Sequence, residues 1–507
     1  GSSVISALEV HADGPAAEGE GEGGGDEQDE EDEEEVVAVG IRRVINNTRG
    51  GDIVSLVIGS DAAERNVAVT ADTIVITVHE GINEPFVDLI RIDGNLGYTA
   101  GSTGQLIRSK VISALIEVGN SLTVAGDPGG LQRSGLLVGS SVTSIQVTGA
   151  LGDVDVRGDV NRMVINSDNS NTTGQFDGVA GAIIIHGNLG RIELGDGITD
   201  PGTGRFAQSG LFVYGSIDQV NISGYGNDIA GPILAADSID QVNVSGGSRI
   251  LGYNAVSANR ERARNGFGTQ PTIAVTNDFE AFWIFNTGWG HTGDINSITV
   301  KGEDSYIFGA HITAAAIHQI TVNGGAEGIF SSVIGGHGYS AVGLGTIDSI
   351  VVGGEGIRDT IISANRQIGQ ITVAKGGTIE YSEIRMDTNF AGAGKRIGSI
   401  TADAFYYTDI DAGNKLDKVT ARDEVFDLAI EAGELGTLQV KNEMLGSAIF
   451  VAGPVKLIQV GDDLISTISI TGPFGNLKSL KVGGDLGTPA GGEVLVDGQV
   501  GKIAVGG

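Results

Sequence analysis

The nine residues Ser216 to Gly224 return as Ser238 to Gly246, an offset of 22 residues, with only Ile222 changed, to Val244. Looser copies begin at Asp294, Ala316, Thr346, Gln367, Arg396, Lys415, Glu434, Asn476 and Gln499. A unit of about twenty residues is too short to enclose a core of its own. A chain built from such units is restricted to a stack in which each one buries its apolar row against the next.

Within each copy the apolar places follow one rule: an apolar residue, two spacers, a second, one spacer, a third, and then usually glycine. Ile217, Val220 and Ile222 are one such set. The final alternation has period two, which marks a strand, so these three are expected to point inward while Gln219, Asn221 and Ser223 face water. A second short motif lies between the copies, as in Tyr381 to Met386, Thr408 to Gly413, Asp427 to Gly433, Gly446 to Gly453, Ser466 to Gly472 and Gly492 to Gly498. One coil therefore reads as strand, glycine turn, strand, glycine turn, with room for a third short strand. The 83 glycines punctuate these strands and show no collagen-like period of three.

Formal net charge is −33. The first 35 residues hold 14 acidic and no basic groups, and the rest of the chain is also acidic. Nucleic acid and anionic lipid need stripes of Lys and Arg, so neither is an expected partner. With no cysteine there is no disulfide framework, thiolate metal site or catalytic thiol. No apolar run approaches 18 residues and no signal peptide is visible, so membrane insertion is not expected.

Three stretches depart from the repeat. Val4 to Val10 is an apolar segment ahead of a Gly, Glu and Asp tract that ends at Glu35. It reads either as a frayed tail with a solvated linker or as an exchangeable strand, with Val4, Ile5, Leu8 and Val10 adding to the edge of a neighbouring molecule. The 24 residues from Ala12 to Glu35 would reach roughly 25 to 30 Å as a flexible coil. Cations should favour such assembly by screening the tract's carboxylates. Between 250 and 294 the period breaks over some 45 residues, roughly two coils, with Trp283, Trp289, Phe285, Arg260 and Arg262. Aromatics with arginine suit a subunit contact or a carbohydrate platform, and also the packing of elaborated loops on the solenoid flank. The last repeat, with Val500, Ile503 and Val505, has no capping element after it.

Candidate chemistry is sparse. Asp411 and Glu431 lie 20 residues apart, so one coil of offset would stack them about 4.8 Å apart, with Asp409 nearby. Such a set could hold a calcium ion, the one cofactor considered; the alternative is solvated charge relieved by Lys415 and Lys418. Asp462-Asp463 reads as a turn-forming pair. The seven histidines show no ligand spacing for zinc. The threonines 299, 321, 372, 401 and 420 form a column in the repeat. A polysaccharide-cleaving β-helix would cluster carboxylates with Arg or Lys on one strand face, whereas the recurring face here carries Gln, Asn, Ser and Thr.

The I-x-x-[IV]-x-V-x-G lines, as in Ile217 to Gly224 and Ile295 to Gly302, resemble the Gly-rich strand repeats of secreted bacterial surface proteins of the filamentous-haemagglutinin and autotransporter-passenger types. The resemblance covers about 365 residues, from Val142 onward. It implies a right-handed parallel β-helix and a place outside the cell, while carbohydrate-active enzymes of the pectate-lyase type share that architecture.

The expectation is therefore an all-β parallel β-helix with coils of 20 to 22 residues, with a tail over 1–35 and one solenoid over 36–507 carrying the 250–294 insertion. Its expected function is that of a secreted or cell-surface structural protein that assembles with itself into a fibre or layer, with adhesion to a surface polysaccharide as a further use. The alternative is a carbohydrate-active β-helix lyase or hydrolase, or a polysaccharide-binding protein.

Overall fold

The structure is a computed structural model. It describes residues 8–11, 39–41, 44–46, 53–59, 69–71, 73–76, 87–92, 95–96, 98–100, 106–108 and 135–138 as backbone strands, and then 141–147, 153–156, 158–165, 182–195, 210–223, 233–246, 250–251, 255–258, 293–324, 328–336, 345–387, 394–487 and 492–506. The described residues are strands and turns without a helix, and the strands stack in parallel as a β-solenoid. Two compact units, Gly1–Gly210 and Leu211–Gly507, divide the chain.

In the first unit, a long face is built from Leu8–His11, Ile53–Gly59, Val87–Ile92, Val142–Val147, Val160–Ile165 and Leu189–Leu194, each in parallel register with the next. A second face carries Val44–Asn46, Thr73–Ile76, Gly135–Val138, Asp153–Val156 and Ala182–Ile185. Tyr98–Ala100 and Leu106–Arg108 form an antiparallel pair.

The second unit repeats this plan with the clear motif. Its long face holds twelve strands, from Ile217–Ser223 to Val500–Val505. The expected inward set is buried: Ile217 and Val220 are 0% exposed and Ile222 1%. Like lies over like, Ile217 on Ile239, Val220 on Val242, Asn221 on Asn243. Asn243 donates its side-chain amide to Asn221 Oδ1 at 3.0 Å. Burying one such aliphatic side chain stabilises by about 1.5–3 kcal/mol, and every interior coil contributes several.

Coil length is 22 residues between Asn221 and Asn243, 21 between Ser349 and Gln370, 19 between Asp423 and Asn442 and 23 between Asn476 and Gln499. Three coils of this unit are longer, 29 residues from Gln367 to Arg396, 30 from His318 to Asp348 and 56 from Asp240 to Asn296. The longest spans the 250–294 stretch, and the long-face strands on either side of it are register neighbours, Ile239 opposite Ile295.

The opposite, shorter face is bent. In five successive coils it consists of a two- or three-residue strand and a four-residue strand: Ile250–Leu251 with Ala255–Ala258, Ile307–Phe308 with His311–Ala314, Ile329–Phe330 with Val333–Gly336, Gly356–Arg358 with Ile361–Ala364, and Thr378–Glu380 with Glu383–Met386. From Ala404–Asp411 onward the two fuse. At the bend one residue per coil takes positive φ: Gly309 (63°), Ser331 (47°), Asp359 (50°), Tyr381 (46°), Tyr407 (49°), Asp427 (51°) and Gly446 (65°). Left-handed backbone is costly for a residue with a side chain, so five such residues in one column mark a bend imposed by the stack.

Along a parallel strand alternate amides point to the following and to the preceding coil, and the bend breaks this alternation. Two successive amides point to the following coil, Ser331 N to Arg358 O with Ser332 N to Thr360 Oγ1, and Asp359 N to Glu380 O with Thr360 N to Ser382 Oγ. The direction reverses only at the next residue, as Ile361 N to Ser332 O and Glu383 N to Thr360 O. The amide at the reversal has no carbonyl to reach, and a buried hydroxyl of the following coil accepts from it: Ala310 N to Ser332 Oγ at 3.1 Å, Thr360 N to Ser382 Oγ at 3.2 Å, Leu428 N to Ser447 Oγ at 3.1 Å and Ser447 N to Ser466 Oγ at 3.2 Å. Ser332, Thr360, Ser382 and Ser447 in turn donate to the carbonyl two residues earlier in their own coil. A hydroxyl is suited to this place because it accepts and donates at once, and a buried amide left unpaired is costly.

Candidate assembly surface

The long-face strand Val500–Val505 pairs in register with Leu477–Val482. The partners have the same apolar spacing and opposite surroundings. Leu477 and Leu480 are 0% exposed and Val482 4%, while Val500, Ile503 and Val505 are 43%, 52% and 45% exposed. Among the described residues no strand pairs with the outer edge of Val500–Val505. An open parallel edge of this kind is a template for another strand.

Charge on this part of the long face is of one sign. Val455–Val460, Leu477–Val482 and Val500–Val505 carry Lys456, Lys478, Lys481 and Lys502 and no carboxylate. All four lysines are exposed, and none forms an ion pair among the described residues. A groove of about 520 Å³ crosses these coils and reaches Val500 and Gly501, and its charged lining is Lys415, Lys456, Lys478 and one carboxylate, Glu434. In a chain of net charge −33 these strands carry a local excess of lysine.

At the other end of the sequence, Leu8–His11 is a strand. It pairs in parallel with Ile53–Gly59 of the same chain, Leu8 opposite Leu56 and Val10 opposite Ile58. The register uncovers a signal in the sequence: Ile5, Leu8 and Val10 have the spacing of Ile53, Leu56 and Ile58, the spacing of the repeat itself. Val4 and Ile5 lie outside the described residues, as does the acidic tract.

Asp411 and Glu431 are register partners on adjacent coils, as their spacing predicts. Asp409, however, lies opposite Ala429, and on the preceding coil Arg385 is the partner of Asp411. Asp411 Oδ1 accepts from the Gly413 amide at 2.9 Å. Among the described residues no three His, Cys, Asp or Glu side chains converge closely enough to hold a metal ion. Asp463 Oδ1 accepts from the Asp485 amide at 2.7 Å, the turn role expected of the Asp462-Asp463 pair. The threonine column is interrupted, since Val351 stands between Thr321 and Thr372. Trp283, Trp289, Phe285, Arg260 and Arg262 lie outside the described residues.

The sequence reading missed an aromatic run along the bend. Tyr381 and Tyr407, 57% and 46% exposed, stack at 4.9 Å with ring planes 6° apart, and Phe426 meets Tyr407 edge-on at 5.5 Å. One coil before Tyr381, Arg358 lies 4.9 Å over the ring of Phe330, which belongs to the coil before that. The Tyr406 hydroxyl donates to Glu424 at 2.6 Å, and this bond, with burial and the surrounding carboxylates, pushes its pKa up to about 12. The run was legible only as scattered aromatics, because coils of unequal length hide which of them become neighbours. Compared with family models, curated proteins and solved structures, the chain has no match in any of the three.

Proposed function

We propose that this chain is a secreted or cell-surface structural protein that assembles with copies of itself. One observation carries the reading: Val500, Ile503 and Val505 repeat the buried row of every interior coil and yet stand about half exposed beside an open strand edge. A head-to-tail contact at such an edge does not close on itself and gives a fibre. Secretion is part of the proposal through the resemblance to Gly-rich surface repeats. Calcium enters it as an ion held between Asp411 and Glu431, tested by calorimetric titration of the parent against Glu431→Gln. Light scattering and electron microscopy of the full chain over a concentration series test the main reading. The expected result is elongated assemblies that Ile503→Asp abolishes, and a chain that stays monomeric throughout would overturn it.

The second reading is polysaccharide binding, with or without cleavage. It is favoured by the exposed Tyr381 and Tyr407 pair, since aromatic rings on a rigid surface stack against sugar faces. Binding across a panel of neutral and acidic polysaccharides that is lost in Tyr407→Ala would support it.

A further inference from the structure

We infer that two copies of this chain pair side by side through the outer surface of the second unit's long face, antiparallel, about a two-fold axis at Gly369. The inference adds a lateral contact to the self-assembly reading and stands on residues 217–482 alone, so it needs no end of the stack. On each strand of this face one outward residue directly follows the first apolar place. Traced from coil to coil, this column is acidic where it begins, at Asp218 and Asp240, bare at Gly369 and Gly398, and basic at Lys456 and Lys478. The whole face has the same polarity. Its five strands from Ile217–Ser223 to Thr346–Val352 hold four carboxylates and one lysine, and its five from Arg396–Ala402 to Leu477–Val482 hold six Lys or Arg and two carboxylates.

The column has eleven places from Asp218 to Lys478, and Gly369 is the sixth. Turned end for end about Gly369, it sets Asp218 on Lys478 and Asp240 on Lys456 twice over, and nowhere on the column do like charges meet. A shift of one coil in one direction opposes Asp348 to Asp417, and a shift in the other carries Lys478 past Asp218. Asp218, Lys456 and Lys478 form no ion pair among the described residues, so their charges are available across a contact. In the middle, a Cβ at Gly369 would meet the Asp348 carbonyl oxygen at 2.3 Å and one at Gly398 the Gly369 oxygen at 2.1 Å, which keeps the face bare where the copies cross. With strands of six to nine residues, spaced about 4.8 Å, the face measures roughly 50 by 20 Å, enough for the ~800 Å² per partner of a stable contact. A polyanion would match only the basic half of this face. A second copy matches both halves, and opposite charge across a contact fixes its orientation.

The test uses the full chain carrying Ile503→Asp, so that the end row invoked above does not contribute. Analytical ultracentrifugation should show a monomer–dimer equilibrium whose Kd rises roughly tenfold as sodium chloride is raised from low to about 0.5 M. Adding Asp218→Lys with Asp240→Lys, or separately Lys456→Asp with Lys478→Asp, should leave monomers, because each pair of changes brings like charges together. An equimolar mixture of the two variants should dimerise again, since all four contacts are then between opposite charges, and this rescue shows that both variants fold. The chain has no cysteine, so Gln370→Cys, beside the axis, can carry a nitroxide label without background and should show dipolar broadening on dimerisation. Gln219→Cys should not, because its two copies would lie about 50 Å apart. Dimers that survive either set of charge reversals, that broaden at 219, or that tighten with salt overturn the antiparallel pairing. A monomer under every condition overturns it as well, and in each case the fibres of the parent remain the separate test of the end contact.

Discussion

The coil ending at Val482 and the coil ending at Val505 have the same apolar spacing, Leu-Lys-Ser-Leu-Lys-Val and Val-Gly-Lys-Ile-Ala-Val, and pair in register. One is core and the other is surface. Nothing in either hexapeptide decides which; the presence of a further coil does. Burial in a solenoid is a property of an interface between neighbours, so the same motif is core where a further coil covers it and surface where no described coil does.

The sharpest way to break this comparison is to make one substitution at both partners. Leu480→Asp places a carboxylate between apolar coils with no partner and should cost roughly 3–5 kcal/mol, seen as a large fall in melting temperature. Ile503→Asp should cost under about 1 kcal/mol in the same melting experiment, while removing assembly. Equal losses would show that the last coil is as buried as the rest.

A second substitution asks whether apolar contact is all that holds interior coils together. Ser447→Ala leaves the Leu428 amide without an acceptor and should cost roughly 1–3 kcal/mol for the loss of one oxygen atom. Loss of amide hydrogen-exchange protection at Leu428 would locate the effect. The hydroxyl series ends at Ser466, because the coil after it offers Gly492 at that place, the residue before Glu493, which pairs with Thr467.

A smaller effect is expected from pH. The pKa of Tyr406 is raised to about 12 by its bond to Glu424, so its contribution is complete below the ordinary tyrosine value near 10 and is lost as pH rises from there towards 12. Tyr406→Phe should flatten that part of the stability profile, measured by denaturant unfolding at a series of alkaline pH values. The smallest change, Ser331→Gly, relieves a side chain at φ 47° and should gain at most about 1 kcal/mol. A loss there would mean that the bend is held by the side chain and not by the stack.

These cases show where sequence reading stopped. The long face was legible because its spacing of three and then two admits one arrangement only, and Ile217, Val220 and Ile222 are buried as that spacing requires. The bend was not. Ser332, Thr360 and Ser447 are polar residues turned inward, and a rule that assigns polar to outside cannot place them without knowing that the alternation of the ladder breaks beside them. The second motif was seen to begin at Tyr381, Asp427 and Gly446, which are bend residues, but left-handed backbone at Tyr381 leaves no mark in composition. Of the candidate assembly residues, the exposed row at Val500, Ile503 and Val505 was expected. The lysine strip was hidden because an overall charge of −33 conceals a local excess of the other sign. The pairing of Asp411 with Glu431 followed from coil length, and the placing of Asp409 opposite Ala429 did not, since it depends on which residues share a rung.

The hydroxyl at the bend has a consequence for how such a molecule changes length over generations. Ser332 receives from the coil before it and gives to a carbonyl of its own coil, so its needs are met whatever number of identical units precedes or follows. A duplicated segment carrying one such serine brings its own acceptor and its own donor and leaves no neighbour short. Gene duplication in steps of one coil is thereby nearly neutral in the interior, and selection is free to set the span of the protein by copying, much as a ladder is extended by adding rungs rather than by redesigning its rails.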